Sequence, residues 1–278
     1  MKLQLAPPPQ LIDDVAGALA ISGVRWRALE GGRVNTLWRV GQVVVKQYQL
    51  LAASPLFPND PKAEAAALDL FAPLGLSPDL LAQGEGWIAY RHLPGKPWRK
   101  DTVAVATTLT RLHQVRPLAG FRAAPNGSAS LLRHAKSIAD LCECNLPSPP
   151  PDPAIKPAQS CMIHGDAVPG NIIVHQGNMT LIDWQCPAIG DPCEDIATFL
   201  SPAMQLLYRG APLTCNEVAA FRAACPTAAI ARYDSLAAIY HWRMAAHCLW
   251  KAERGAQGYA LAAQLELQTL KALPQKNT

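Results

Sequence analysis

No stretch of the chain approaches the roughly eighteen apolar residues that a membrane-crossing helix requires. The opening residues, Met1 to Ala6 followed by Pro7, Pro8 and Pro9, lack the apolar centre of a secretory leader. Together these absences predict a soluble, cytoplasmic protein. No block of Lys or Arg of the kind that tracks nucleic acid is present, and the net charge of +4 is mild, compatible with an anionic ligand without specifying one. The eight cysteines are scattered and none forms a C-x-x-C pair, so a zinc site is not expected and reduced, core-filling thiols are. No internal repeat is visible.

What the chain has is apolar material: half of its 278 residues are hydrophobic, enough for one large domain or two small lobes. Residues 11–22 space Leu11, Val15 and Leu19 for an amphipathic helix. Strand, turn and strand then alternate through residues 24–29, 36–40 and 43–48, with Gly31-Gly32 and Gly41-Gln42 between them, which predicts an antiparallel meander. Gly31-Gly32 taken alone is an ordinary turn. Over a phosphate, the missing Cβ atoms would let backbone N–H groups approach the oxygens. Lys46 ends the triple-valine strand. Pro58-Asn59-Asp60-Pro61 opens an Ala- and Leu-rich helix that carries Glu64, an ion-pair candidate for Lys46 or else a surface carboxylate. A further hairpin covers 80–90, and Pro94, Gly95 and Pro97 mark a boundary near 91–94.

Beyond the boundary the pattern is helical: 101–115, 130–142, and then 216–224, 228–252 and 258–273. A Pro-rich connector at 145–157 is expected to be extended. Between these helices lies the densest chemistry. His164-Gly165-Asp166 is followed five residues after the Asp by Asn171, and an apolar hairpin then leads to Ile182-Asp183-Trp184. Two carboxylates and an amide at the ends of a loop and hairpin suit phosphoryl transfer. One Asp would orient a substrate hydroxyl, and the Asn and the other Asp would hold Mg²⁺ on nucleotide phosphates. Gly190-Asp191-Pro192 then enters a helix whose Glu194 and Asp195 suit the positive end of its dipole.

Gly31-Gly32…Asn35, Lys46, Glu64, Leu93-Pro94-Gly95, His164-Gly165-Asp166…Asn171, Ile182-Asp183-Trp184 and Gly190-Asp191-Pro192 together resemble the aminoglycoside phosphotransferase/choline kinase family. The resemblance runs over nearly the whole chain. It implies an α+β, bilobal, protein-kinase-like fold: an N-lobe of antiparallel sheet with a helix (1–91) and a mainly helical C-lobe (92–278). It implies ATP and Mg²⁺ as cofactors, and Asp166 as the catalytic residue. Gly31, Gly32, Asn35, Lys46 and Glu64 would lie on the nucleotide, with Tyr90 and His92 in the adenine-binding hinge at 88–92. Asn171 and Asp183 would be the metal ligands, and His164 and Asp191 would support the catalytic loop. Gly165 stands where protein kinases carry Arg, and the path from Asp183 to Gly190 has no room for an activation segment, so loop phosphorylation is not expected.

The expected reaction is phosphoryl transfer from ATP to a hydroxyl of a small metabolite, either an amino alcohol like choline or ethanolamine, or a sugar. Alternatives are an aminoglycoside phosphotransferase, a protein kinase, and a nucleotide-binding pseudokinase without turnover. Neither a nucleic-acid partner nor a membrane is expected. Arg222, Arg232, Arg243, Lys251 and Arg254 on the last helices speak against a polycationic acceptor. Tyr240, Trp242 and Trp250 could enclose a quaternary amine or simply pack the core.

Overall fold

A computed structural model describes residues 6–29, 34–49 and 52–274. The chain divides into two compact units, Met1–Lys96 with Ile173–Cys186, and Pro97–Ile172 with Pro187–Thr278. The architecture is α+β, with an antiparallel sheet in the first unit and a mainly helical second.

The first unit is built on β1 (Trp26–Ala28), β2 (Thr36–Val40), β3 (Val43–Gln47), β4 (Leu80–Gly84) and β5 (Trp87–Arg91), in the order β1-β2-β3-β5-β4. All neighbours are antiparallel, with Val45 opposite both Trp38 and Ala89, and Lys46 opposite Ile88. Side chains alternate across a strand. One face therefore carries Trp38, Val40, Val45, Trp87 and Ala89, and α1 (Pro9–Leu19) covers it with Leu11 and Val15. The opposite face carries Val44, Lys46, Ile88 and Tyr90, all buried. A sheet covered on both faces explains the unbroken valine run, and it places Lys46 inside the protein rather than at a solvated strand end.

Helix α2 (Pro61–Phe71) starts where Asp60 accepts the N–H groups of Lys62 and Ala63, with Pro61 at the first helical position. Its buried face reads Glu64, Ala67, Leu68 and Phe71, so the helical period delivers Glu64 inward with the apolar residues. After β6 (Lys96–Pro97) the chain leaves this unit. It returns with the rest of β9 (Ile172–His175) and β10 (Asn178–Leu181). Trp184, beyond β10, stacks on Phe71 at 4.4 Å.

The second unit contains α3 (Thr102–His113), β7 (Arg122–Ala123), α4 (Ser128–Ala139), β8 (Cys161–Ile163), β11 (Ala188–Gly190), α5 (Cys193–Leu200), α6 (Pro202–Arg209), α7 (Cys215–Ala224), α8 (Thr227–Glu253) and α9 (Tyr259–Ala272). β11 lies between β7, parallel to it, and β8, antiparallel. Helix α5 is buried along its whole length, and Phe199 sits between Trp98 at 5.2 Å and Phe221 at 4.7 Å. The Pro-rich connector has no regular element and is fastened by backbone contacts: Trp242 Nε1 donates to the Pro147 carbonyl, and Ser128 N to that of Ile155. Tyr240 and Trp242 are core residues, 4 % and 3 % exposed, so these two of the three aromatic residues of α8 pack the core, while Trp250 is half-buried with Arg254 over its ring at 4.3 Å. Among the described residues no helix is long and apolar enough to cross a membrane.

Candidate active site

In the first unit, strand alternation and helix period bring Lys46 and Glu64 together. Lys46 Nζ donates to Glu64 Oε2 at 2.6 Å and also to Asp183 Oδ1. Tyr48, just past β3, donates its hydroxyl to the same Glu64 Oε2 at 2.5 Å. Lys46 and Glu64 are 1 % and 0 % exposed, whereas the Asp183 side chain is about one-third exposed. Burial alone would lower the Lys46 ammonium, but the carboxylates of Asp183 and Glu64 outweigh it and raise it above its ordinary value, so Lys46 is charged. Burial raises the Glu64 carboxyl, and the Lys46 charge partly offsets that. Burial likewise holds Tyr90, on the same sheet face, neutral.

Asp183 has φ of +62°, a left-handed conformation that few non-glycine residues adopt. Its neighbours hold it there. Trp184 stacks on Phe71 and donates Nε1 to the Leu181 carbonyl, and the Gln185 side chain accepts from Asn35 Nδ2 at 2.9 Å. Asn35 and Asn59 exchange a reciprocal pair of 2.9 Å bonds, and Asn35 Oδ1 also accepts Gln49 N. The side chain of Asn35 is thus fully occupied in an amide cluster that fastens the Asp183 turn. Gly31 and Gly32 lie outside the described residues. His92 gives its backbone N–H to the Gln42 carbonyl, and burial lowers its imidazole. A Cβ on Gly95 would lie 2.5 Å from Ile173 Cγ2, so the segment after β5 requires glycine for its approach to β9.

In the second unit, His164, Asp166 and Asn171 converge. Asp166 N donates to His164 Nδ1 at 3.2 Å, which fixes the ring against the loop. Asn171 Nδ2 donates to the Asp166 carbonyl at 2.9 Å and to its Oδ2 at 3.1 Å. The loop closes with a 3₁₀ turn, Pro169–Asn171, in which Gly170 lies under Tyr208 of α6.

Asp191 does not hold this loop, contrary to what the resemblance implies. Its carboxylate accepts Cys193 N at 3.0 Å, at the start of α5, and Arg232 Nε at 2.7 Å. The loop's backbone is held by Asp195 instead, which accepts His164 N at 2.9 Å, Gly165 N at 2.8 Å and His113 Nε2 at 3.0 Å. Lying in the first turn of the helix, Asp195 can face the loop, whereas Asp191 precedes the helix and is drawn to its N–H groups. Burial, the largest influence on Asp195, would raise it; the hydrogen bond and charge of His113 pull it below the usual carboxylate range. Glu194 points elsewhere, into a buried bidentate pair with Arg243 at 3.0 and 2.6 Å. Both acids were expected to serve the helix dipole. Both are instead buried, Asp195 completely.

The donor set suits a hard cation. Asn171 Oδ1 and Asp183 Oδ2 are oxygens that accept no hydrogen bond among the described residues. No group of three or more His, Cys, Asp or Glu converges as a metal cage among the described residues. Mg²⁺ takes oxygen ligands and completes its shell with phosphates and water, so the oxygen each unit offers, Asn171 Oδ1 in the second and Asp183 Oδ2 in the first, is of a type that suits it better than zinc.

The model of the phosphotransferase enzyme family (APH) matches residues 25–239. Among solved structures, a choline/ethanolamine kinase family protein from Mesorhizobium loti is similar with a TM-score of 0.68 at 17 % identity, over 96 % of this chain and 95 % of that one. Choline kinase LicA from Streptococcus pneumoniae has a TM-score of 0.65 at 18 % identity, over 95 % and 98 %. The gentamicin complex of APH(2")-IIa has a TM-score of 0.68 at 14 % identity, over 95 % and 97 %. At these identities the solved structures establish the kinase-like fold. No curated protein matches in sequence.

Proposed function

Since the chain belongs to the phosphotransferase enzyme family, we propose that it is an ATP-dependent small-molecule kinase that phosphorylates a hydroxyl of a small metabolite. The observation that carries this reading is the Asp166–Asn171 pair. One amide group of Asn171 grips Asp166 through both its carbonyl and its carboxylate, while the other amide atom, Oδ1, stays open to a cation. The same two residues are thereby set for two tasks at fixed spacing.

In this reading Asp166 orients the acceptor hydroxyl and takes its proton as that oxygen bonds to the γ-phosphorus of ATP, while the bond from that phosphorus to the bridging oxygen breaks and ADP leaves. Asn171 and Asp183 would hold Mg²⁺, which supplies charge neutralisation on the phosphates when bound. Lys46, kept charged and aimed by Glu64, places a cation on the phosphates. His164 and Asp195 keep the loop from relaxing. Positioning and electrostatics supply most of the rate, as is general for phosphoryl transfer. Use of a nucleotide is supported by relatives solved with AMP or ADP.

The acceptor we favour is an amino alcohol like choline or ethanolamine, or a sugar, with an aminoglycoside as the second reading. Three of the five basic residues of the last helices weigh less against a cationic acceptor than their charge alone implies. Arg222 pairs with Asp234 at 2.7 Å, Arg232 with Asp191 at 2.7 Å and Arg243 with Glu194 at 2.6 Å, so their charges are compensated. A pseudokinase is disfavoured because Lys46, Asp166, Asn171 and Asp183 are all retained. The test is ADP release over amino alcohols, sugars and aminoglycosides, for wild type and Asp166→Ala. Turnover on one class, abolished in the variant while nucleotide binding persists, is expected. Intact Mg-ATP binding without turnover on any acceptor would establish the pseudokinase.

A further inference from the structure

Glu64 is completely buried, so its carboxylate must be solvated by protein donors. Among the described residues its Oε1 has no hydrogen-bond partner, and Oε2 receives both donors, the Lys46 ammonium at 2.6 Å and the Tyr48 hydroxyl at 2.5 Å. The two donors differ in kind. Lys46 neutralises the carboxylate, and it is itself divided between Glu64 and Asp183. Tyr48 is uncharged, 6 % exposed, and its ring lies 5.1 Å beneath the Lys46 ammonium.

We propose that Tyr48 is a positioning residue for nucleotide binding: its hydroxyl meets part of the demand of Glu64, so that Lys46 is held without being captured and remains available to phosphate. The proposal rests on the kinase reading given above. Burial raises the Glu64 carboxyl, the charge of Lys46 works against that rise, and the hydrogen bonds of Lys46 and Tyr48 add to the opposition. Without the hydroxyl, Oε2 has Lys46 as its single donor. Either the carboxylate draws the ammonium closer and away from phosphate, or it takes up a proton and releases Lys46 toward Asp183. Both outcomes weaken the grip on a nucleotide, and neither touches the acceptor.

Tyr48→Phe removes one oxygen and keeps the ring. The expected result is a tenfold or greater rise in the Kd of ADP, measured by calorimetry without added metal, and a matching rise in the KM for ATP. kcat should fall by less than the KM for ATP rises, and the KM of the acceptor should stay within about twofold. A double-mutant cycle separates positioning from packing. In a Lys46→Met background, Tyr48→Phe should change ADP affinity by less than twofold, because the hydroxyl acts through the lysine. Unchanged ADP affinity in Tyr48→Phe overturns the proposal. So does an equal loss of affinity in both backgrounds, or a fall in kcat and both KM effects together. Wild-type protein that binds no ADP removes the kinase reading and the proposal with it, whereas a binding wild type beside an unaffected variant removes the proposal alone.

Discussion

Asp195 accepts the backbone N–H of His164 at 2.9 Å, a bond from the first turn of α5 to the residue that opens the loop carrying Asp166. A second oxygen of the same carboxylate takes Gly165 N, so the loop enters its turn with both leading amides fixed. Asp195→Asn replaces one acceptor by a donor facing a donor. Turnover should fall about a hundredfold, the scale expected when a reacting group is displaced by roughly an ångström. Stability should drop by about 1–3 kcal/mol for a buried polar group left unsatisfied. Steady-state kinetics and urea unfolding check the two effects, and nucleotide affinity should change far less than turnover.

The same carboxylate predicts an acid response. Its folded pKa lies below the ordinary value, so it contributes stability that is present above about pH 4, the unfolded value, and is lost as pH falls through the folded one. Thermal melts between pH 6 and pH 3 should show a shallower acid limb in Asp195→Asn than in wild type.

His247 acts in a higher window. Burial, followed by the charges of Lys251 and Arg243, lowers its imidazole to about 3. An unfolded histidine titrates near 6.5, so the folded state forgoes a proton throughout the interval. Stability is full above about pH 6.5 and declines below it, by about 3 kcal/mol at pH 4. His247→Leu should flatten urea-derived stability between pH 6.5 and 4.

Gly170 is a question of space. An added Cβ would lie 2.6 Å from Tyr208 Cδ1, so Gly170→Ala must displace the catalytic loop or α6. Overpacking of this kind costs about 1–3 kcal/mol. Activity should fall at least tenfold, and Gly170→Ala with Tyr208→Leu should recover much of it. A double variant no better than the single would place the strain elsewhere.

Arg243 and Glu194 form a buried bidentate pair. Arg243→Met strands a buried carboxylate and should cost about 3–5 kcal/mol. Replacing both, with Glu194→Gln and Arg243→Met, should cost less than the sum of the single changes, because no lone charge remains. Denaturant midpoints of the three variants give the coupling directly.

Elements with a long local signal were legible in the sequence. The valine strand, the Asp60-Pro61 helix start and the Asp166-to-Asn171 spacing each need only neighbouring residues to be recognised. α6 was not anticipated, although Ser201 caps it by accepting Met204 N and Pro202 occupies its first position. The helix is only eight residues long, too short to show a clear period of its own. β7 and β11 are two and three residues long and exist only because they pair with each other and with β8. Asp195 looked like Glu194, adjacent and equally acidic. Helical geometry turns one toward the loop at His164 and Gly165 and the other toward Arg243, and no sequence window contains those partners. Tyr48 was visible only as the end of a strand, since its role depends on Glu64 arriving from α2.

The segment 173–186 joins the first unit from the far side of a long excursion, with Trp184 against Phe71, Gln185 on Asn35 and Asp183 on Lys46. That unit is discontinuous in the chain, so its buried lysine and glutamate cannot reach their final environment as the amino-terminal part leaves the ribosome. They must wait until synthesis has passed Cys186, and the closing of so long a loop carries its own entropic cost. A polypeptide ending at Lys96 would therefore expose the Phe71 face and misplace Lys46, and would be expected to recover a native-like fold only when a peptide spanning 173–186 is supplied in trans.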